Sequence, residues 1–102
     1  MNIITRRRLK AWCRQHHQAR SALLAWYGVS TKARWDNLSQ LRHDFPNADG
    51  VVVASGKVVT VFNIHGDTYR MIAAVHYDHK RVYLLRFLTH ADYDKAKWKV
   101  QL

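Results

Sequence analysis

Apolar and polar positions alternate in two different rhythms along this chain. Ile3-Ile4 predicts a short opening strand, and Thr5 follows as a residue able to cap a helix through its side-chain oxygen. Leu9, Trp12, Cys13 and His16 then recur at helical spacing, as do Ala19, Ala22, Leu23, Trp26 and Tyr27. The two stripes predict an antiparallel helix pair, the second member broken near Gly28. Asp36 is expected to cap a short third helix through Leu38 and Leu41 that stops before Pro46. From Gly50 onward the rhythm becomes that of strands. Val51–Ala54, Val58–Ile64, Thr68–Tyr77 and Arg81–Thr89 are rich in β-branched and aromatic residues. Short polar separators, Ser55-Gly56-Lys57, His65-Gly66-Asp67 and Asp78-His79-Lys80, predict an antiparallel meander. Thr89 is placed to cap a last helix from Ala91 to Trp98.

Helices packed on one face of an antiparallel sheet make an α+β fold, expected here as a single domain over residues 1–102. Strand parity assigns the faces. Tyr69, Met71, Ala73, Val75 and Tyr77 should meet the helices, leaving Thr68, Arg70, Ile72, Ala74 and His76 on the opposite face. In the next strand Tyr83, Leu85 and Phe87 suit the helix side, with Leu84, Arg86 and Leu88 opposite. Arg70 and Arg86 are thereby expected to share an open face.

Charge narrows the function. Seventeen Lys and Arg oppose seven acidic residues, all Asp, for a formal charge of +10. Such an excess draws polyanions by counterion release and long-range steering, which favours nucleic acid or a ribosome over a small acidic ligand. The lone Cys13 has no partner for an internal disulfide, and Cys13 with His16 forms one isolated C-x-x-H; His76 and His79 are separated by a bend. Neither pair supplies the ligands zinc requires, so no metal and no other cofactor is expected. The N-terminus lacks a signal-peptide pattern and no apolar run is long enough to span a bilayer, which points to the cytoplasm and away from a membrane.

Two stretches carry a resemblance to a known family. Val61-Phe62-Asn63-Ile64-His65-Gly66-Asp67-Thr68-Tyr69-Arg70-Met71-Ile72 resembles the core motif of HigB-type toxins in the RelE superfamily, and Leu88-Thr89-His90-Ala91-Asp92-Tyr93-Asp94-Lys95 is similar to their Thr-His…Tyr-Asp-Lys signature. Trp35-Asp36-Asn37 and Asp44–Asp49 are also similar to family positions. The chain departs from the pattern at Asp67, where Asn is usual, and at Asp92, where Glu is common. The resemblance implies a RelE-like microbial RNase fold and endonucleolytic cleavage of mRNA on the translating ribosome. It also implies a HigA-type helix-turn-helix antitoxin as partner. A ParE-like gyrase poison of the same fold and a non-catalytic basic RNA-binding module are the competing readings.

RNA can be cleaved without metal by attack of the ribose 2′-OH on the adjacent phosphate. The protein must then remove one proton, supply another and stabilise negative charge. Arg70, selected by motif and by parity, is the candidate phosphate clamp through its forked guanidinium. His90 is a candidate acid or base, or else a residue that helps to cap the last helix. Tyr93, three residues on, can share a helical face with His90 and stack on a base or bond the phosphate, or simply pack the helix. Lys57, in a turn before a strand, can reach a phosphate or leaving group. Arg86 and Asn63 are candidate RNA contacts, although an amide such as Asn63 also serves as a structural group. Arg6, Arg7 and Arg8 open a helix, where positive charge opposes the helix dipole, and this mild cost points to a phosphate-facing role. Trp12, Trp26 and Trp35 are read as core or partner-facing residues.

Overall fold

A sheet whose middle strands are apolar on both faces needs cover on both sides, and that requirement organises the computed structural model, which describes residues 1–102. The order is β1 (Asn2–Ile3), α1 (Arg6–Gln15), a 3-10 turn (His17–Ala19), α2 (Arg20–Lys32), α3 (Leu38–Asp44), β2 (Asp49–Val52), β3 (Val58–Ile64), β4 (Tyr69–His76), β5 (Arg81–Thr89), α4 (His90–Asp94) and α5 (Lys97–Gln101). The expected α+β architecture is the one observed. The sheet runs β1-β5-β4-β3-β2. Strands β2 to β5 form the antiparallel meander, but β1 lies parallel to β5, so the sheet is mixed.

On one face α1, α2, α3 and the α2–α3 connection bury Leu9, Cys13, Leu23, Trp26, Trp35 and Leu41 against Phe62, Ile64, Tyr69, Met71, Ala73, Val82 and Leu84. An aromatic stack fastens α1 there: Trp12 lies on Phe87 (centroids 5.4 Å) and Phe87 on Tyr69 (5.0 Å). The opposite face is not open along its length. Trp98 of α5 covers a smaller core of Val53, Val59, Val61 and Ile72. Removing a buried indole of this kind costs about 3–5 kcal/mol.

Several local expectations change. The parity of β4 holds, but that of β5 is broken by a register shift between Ile72 and Ala73. Ile72 pairs with Arg86 and Ala73 with Leu84, so Leu85 is an extra residue. Leu84, not Leu85, therefore faces the helices, while Arg86 and Leu88 keep the expected side. Helix α2 continues through Gly28 to Lys32. The glycine costs the helix about 1 kcal/mol, which the burial of Leu23 and Trp26 in the helical core outweighs. Asn37, not Asp36, caps α3, accepting from the Gln40 N–H at 2.9 Å. Asp36 instead pairs with Lys80, whose hydrogen bond and charge hold the Asp36 carboxyl below the usual carboxylate range. The last helix divides into α4 and α5 at Ala96, which adopts a left-handed backbone (φ 58°). Thr89 does cap α4, accepting from the Asp92 N–H at 3.2 Å. Gly66 supplies the positive φ (63°) needed by the β3–β4 turn.

Thr5 sits at the start of α1 but makes no cap bond. Its hydroxyl accepts from the Leu84 N–H at 2.6 Å and lies 3.4 Å from the Leu84 carbonyl. Strand β1 has already left the sheet at this point, its last ladder bond running from the Ile4 N–H to the Val82 carbonyl at 3.0 Å. The threonine side chain thus replaces the missing strand residue. Arg8 adds two bonds from Nη1 to the carbonyls of Leu84 (2.7 Å) and Leu85 (3.2 Å), beside the extra residue. Replacing Thr5 by Val leaves the Leu84 N–H without this partner. Urea denaturation should show Thr5→Val less stable by about 1–3 kcal/mol, with Thr5→Ser close to wild type. Equal stability of Val and Ser variants would show that this hydroxyl carries no load.

Candidate active site

The end of β4 nearest the β3–β4 turn, the end of β5 and the start of α4 meet at one corner of the sheet. Arg70 stands there, opposite Asn63 on β3 and Leu88 on β5. Direct cross-strand pairing puts the three on one face, the face that α4 and α5 occupy. The Arg70 head group is fixed by its own turn: Nη1 donates to the carbonyls of Asp67 (3.0 Å) and Tyr69 (3.2 Å). Nη2 lies 3.8 Å from the Asp67 carboxylate, a long contact to a side chain that is 85% exposed. Only 12% of the Arg70 side chain is exposed. Its cover is Tyr93, whose ring centroid lies 5.7 Å from the guanidinium carbon. Arg70 is therefore clamped, not waving in solvent.

His90 opens α4, and its backbone N–H donates to the Thr68 carbonyl at 3.0 Å, which fixes the start of the helix two residues from Arg70. The imidazole Nδ1 lies 2.9 Å from the Asp94 carboxylate, one helical turn on. That contact orients the ring and leaves Nε2 as the nitrogen available for proton transfer. Asp94 had not been singled out in the sequence; its signal was the His90–Asp94 spacing of four on a helix. Tyr93 is half-buried. Burial pushes its phenol above the ordinary value, the Arg70 charge pulls it back, and Asp49 and Asp94 push it up again. The phenol is suited to donating a hydrogen bond and ill suited to acting as a base.

Arg86, paired with Ile72, occupies the next row on the same face. It lines a cleft of about 220 Å³ with Leu88, Asp92, Lys95, Lys97, Trp98 and Gln101. Its Nη1 bonds the Leu85 carbonyl at 2.9 Å. Asn63 is half-buried and also borders the loop after α3. Lys57 does not join this corner. From Asn63 back to Lys57 is six residues of β3 and its preceding turn, about 20 Å of extended chain. Arg6 and Arg7 are exposed in the first turn of α1, whereas Arg8 is committed to the β5 carbonyls. Trp26 and Trp35 are core residues as expected, and Trp12 is half-buried on Phe87. Trp98, which the sequence had placed only as the end of a helix, stacks on Tyr93 with centroids 5.2 Å apart and planes at 17°. No three His, Cys, Asp or Glu side chains gather as a metal site would require.

The corner thus combines a fixed guanidinium, an oriented imidazole and a protonated phenol. Those groups can hold a phosphate, move a proton and donate a hydrogen bond. Comparison with known proteins places the chain in the same context. Residues 19–96 match the model of the HigB_toxin family, described as the RelE-like toxic component of a toxin–antitoxin system. The chain is similar to the mRNA interferase toxin HigB of Escherichia coli (strain K12), 27% identical over 94 residues, covering 92% of this chain and 88% of that protein. The mRNA interferase HigB of Shigella flexneri matches to the same extent. The mRNA interferase HigB of Escherichia coli O6:H1 is 26% identical over 95 residues, covering 93% of this chain and 90% of that protein.

The Tyr93 environment has a measurable consequence. A phenol whose folded pKa is raised keeps its proton longer folded than unfolded. Its contribution to stability is fully present below the ordinary value of about 10 and is lost as pH rises through the folded value. Spectrophotometric titration at alkaline pH, compared with Tyr93→Phe, should assign a late-ionising phenol to Tyr93. Arg70→Ala removes the one charge that lowers this pKa and should move it further up. A downward move would contradict the assigned electrostatics.

Proposed function

The chain belongs to the HigB toxin family, the RelE-like toxic components of toxin–antitoxin systems, and from that premise we propose that it is an endoribonuclease that cuts mRNA on the translating ribosome. The observation that carries the reading is the clamped Arg70, held by the Asp67 and Tyr69 carbonyls and faced by Tyr93 beside the His90–Asp94 pair. The relatives named as mRNA interferases supply the substrate class.

In this mechanism the ribose 2′-OH attacks the adjacent phosphorus and the 5′-oxygen leaves. Arg70 holds the phosphate. Its unbonded guanidinium edge meets the non-bridging oxygens once the weak Asp67 contact yields, and it stabilises the charge that accumulates on them. His90 takes the 2′-OH proton at Nε2 while Asp94 keeps the ring aligned, and the leaving 5′-oxygen takes its proton from solvent. Tyr93 stays protonated and donates to the phosphate or leaving oxygen. Asn63 and Arg86 lie on either side of Arg70 on the same face and contact the neighbouring ribose and phosphate. Lys57 lies outside the reacting corner, where it serves the flanking mRNA, and Arg6 and Arg7 belong to the cationic helices on the other side of the sheet. No metal step is required.

The ribosome as the site of action accords with the distribution of charge. Residues 1–35 contain eight Lys or Arg and no acid at all. They build α1 and α2, on the other side of the sheet from Arg70. A cationic layer that cannot reach the scissile bond is well placed to grip ribosomal RNA while the opposite face works on mRNA. The partner is a HigA-type antitoxin with a helix-turn-helix domain, and the setting is the cytoplasm, where translating ribosomes are found. No helix is long and apolar enough to cross a membrane.

Primer extension on a reporter mRNA during induced expression tests the proposal. Wild type should create new ends within translated codons. Arg70→Ala should lower cleavage by about 10²–10³-fold, the usual cost of a lost oxyanion donor. His90→Ala should lower it by about 10²–10⁴-fold if the imidazole carries a proton. Growth arrest with intact mRNA would reject the nuclease reading in favour of a target other than mRNA.

A further inference from the structure

Tyr93 lies on a helix of five residues, none of them buried. A single turn of helix cannot hold its own geometry in water, because nucleation costs more than so few bonds return. The Asp67 and Tyr69 carbonyls hold the Arg70 head group, but the position of the phenol that covers it must come from whatever α4 rests on. The His90 N–H bond to the Thr68 carbonyl and the Thr89 cap hold the start of α4, and at Tyr93 the support is Trp98. Trp98 stacks its indole on the Tyr93 ring (5.2 Å, 17°), and its Nε1 donates to the Tyr93 carbonyl at 3.1 Å. Side chain and backbone of Tyr93 are thus fixed by one residue. Trp98 is itself buried, 3% exposed and packed on Val53, Val59, Val61 and Ile72. A bond from the Ala54 N–H to the Lys99 carbonyl at 2.9 Å ties α5 to the loop after β2.

We propose that Trp98 is a positioning residue for RNA cleavage: its indole is the platform that sets the Tyr93 phenol over the Arg70 guanidinium, so that the two groups meet the scissile phosphate in one fixed relation. This rests on the assignment of Arg70 and Tyr93 to the cleavage site. A purely structural indole fills space, and any apolar side chain that keeps the fold would serve. A platform needs a flat face at one distance and an N–H at one point. The two roles respond differently to substitution. Trp98→Phe keeps a stacking face and loses the N–H. Trp98→Leu keeps apolar bulk and loses both.

The test is multiple-turnover cleavage on ribosomes programmed with a defined mRNA, at a temperature below the lowest melting point of the set. Wild type, Trp98→Phe, Trp98→Leu and Arg70→Ala are compared. With KM unchanged, kcat should fall several-fold in Trp98→Phe and about a hundredfold in Trp98→Leu, the scale expected for misplacing a catalytic group by about 1 Å. Wild-type kcat in both Trp98 variants, with Arg70→Ala inactive, overturns the platform and leaves the site standing. A loss that appears in KM alone also overturns it, because the residue then serves ribosome binding. Wild-type cleavage by Arg70→Ala removes the site on which the inference rests. If Trp98→Leu does not fold, Trp98→Phe decides alone: lowered kcat at constant KM supports the platform and wild-type kcat rejects it.

Discussion

Between β4 and β5 the pairing runs Met71 to Phe87 and Ile72 to Arg86, then passes to Ala73 and Leu84, with Leu85 left over. Val82 and Leu84 face the helices, as does Phe87 beyond the extra residue. Strict alternation from Val82 and Leu84 would instead send Arg86 and Leu88 into the helical core and turn Phe87 outward. A guanidinium driven into that apolar layer without a partner would cost several kcal/mol. The Trp12–Phe87–Tyr69 stack that fastens α1 would be lost as well. The one-residue slip lets a single strand complete one core with Val82, Leu84 and Phe87 and still present Arg86 beside Arg70. Thr5 and Arg8 reach across to bond Leu84 and Leu85, so the first residues of α1 support the point of irregularity.

Division of labour between the two faces follows from this geometry. Helices α1 and α2 are built from a stretch without acids, and the groups able to handle a phosphate lie on the other side of the sheet. The carboxylates near the candidate site are placed with restraint. Asp67 touches Arg70 only at 3.8 Å, and Asp94 is engaged with His90. Neither neutralises the guanidinium at close range, so positive potential remains where a phosphate would sit. Burial of Tyr93 has the opposite sense to that of an activated base: it preserves the proton and makes the phenol a donor beside a cation.

Much of this was legible in the amino-acid pattern. Val58–Ile64 and Arg81–Thr89 were bounded to the residue, because alternation of β-branched and aromatic side chains between polar turns has few other readings. The faces of β4 were legible for the same reason. The sheet slip was not, since Leu84 and Leu85 are the same residue type and sequence alone does not say which of them turns inward. Gly28 read as a helix break because its local propensity is poor, while the packing of Leu23 and Trp26 that overrides it is tertiary. Ala96 concealed the division of the last helix, since alanine carries no signal for a left-handed backbone. Arg70, His90 and Tyr93 were found by motif and spacing and do gather at one corner. Lys57 was selected by residue type and local turn, which say nothing of its distance along β3. Arg8 was read as phosphate-facing from its charge, yet its Nη1 is spent on the Leu84 and Leu85 carbonyls, partners remote in sequence.

Arg70, Tyr93 and Trp98 come from three elements, of which the two short helices are too weakly held to fix an active geometry alone. Strand β4 fixes the Arg70 backbone, but the long side chain still has rotamers to lose. Helix α4 has no buried residue, and α5 is as short. The guanidinium is held by the Asp67 and Tyr69 carbonyls and covered by the phenol, the phenol rests on the indole, and the indole on the valines and Ile72 beneath it. The apolar contact that closes the second face of the sheet is therefore also the contact that orders the candidate site. Stability of that face and geometry of the polar groups above it cannot be varied independently, because both pass through one side chain.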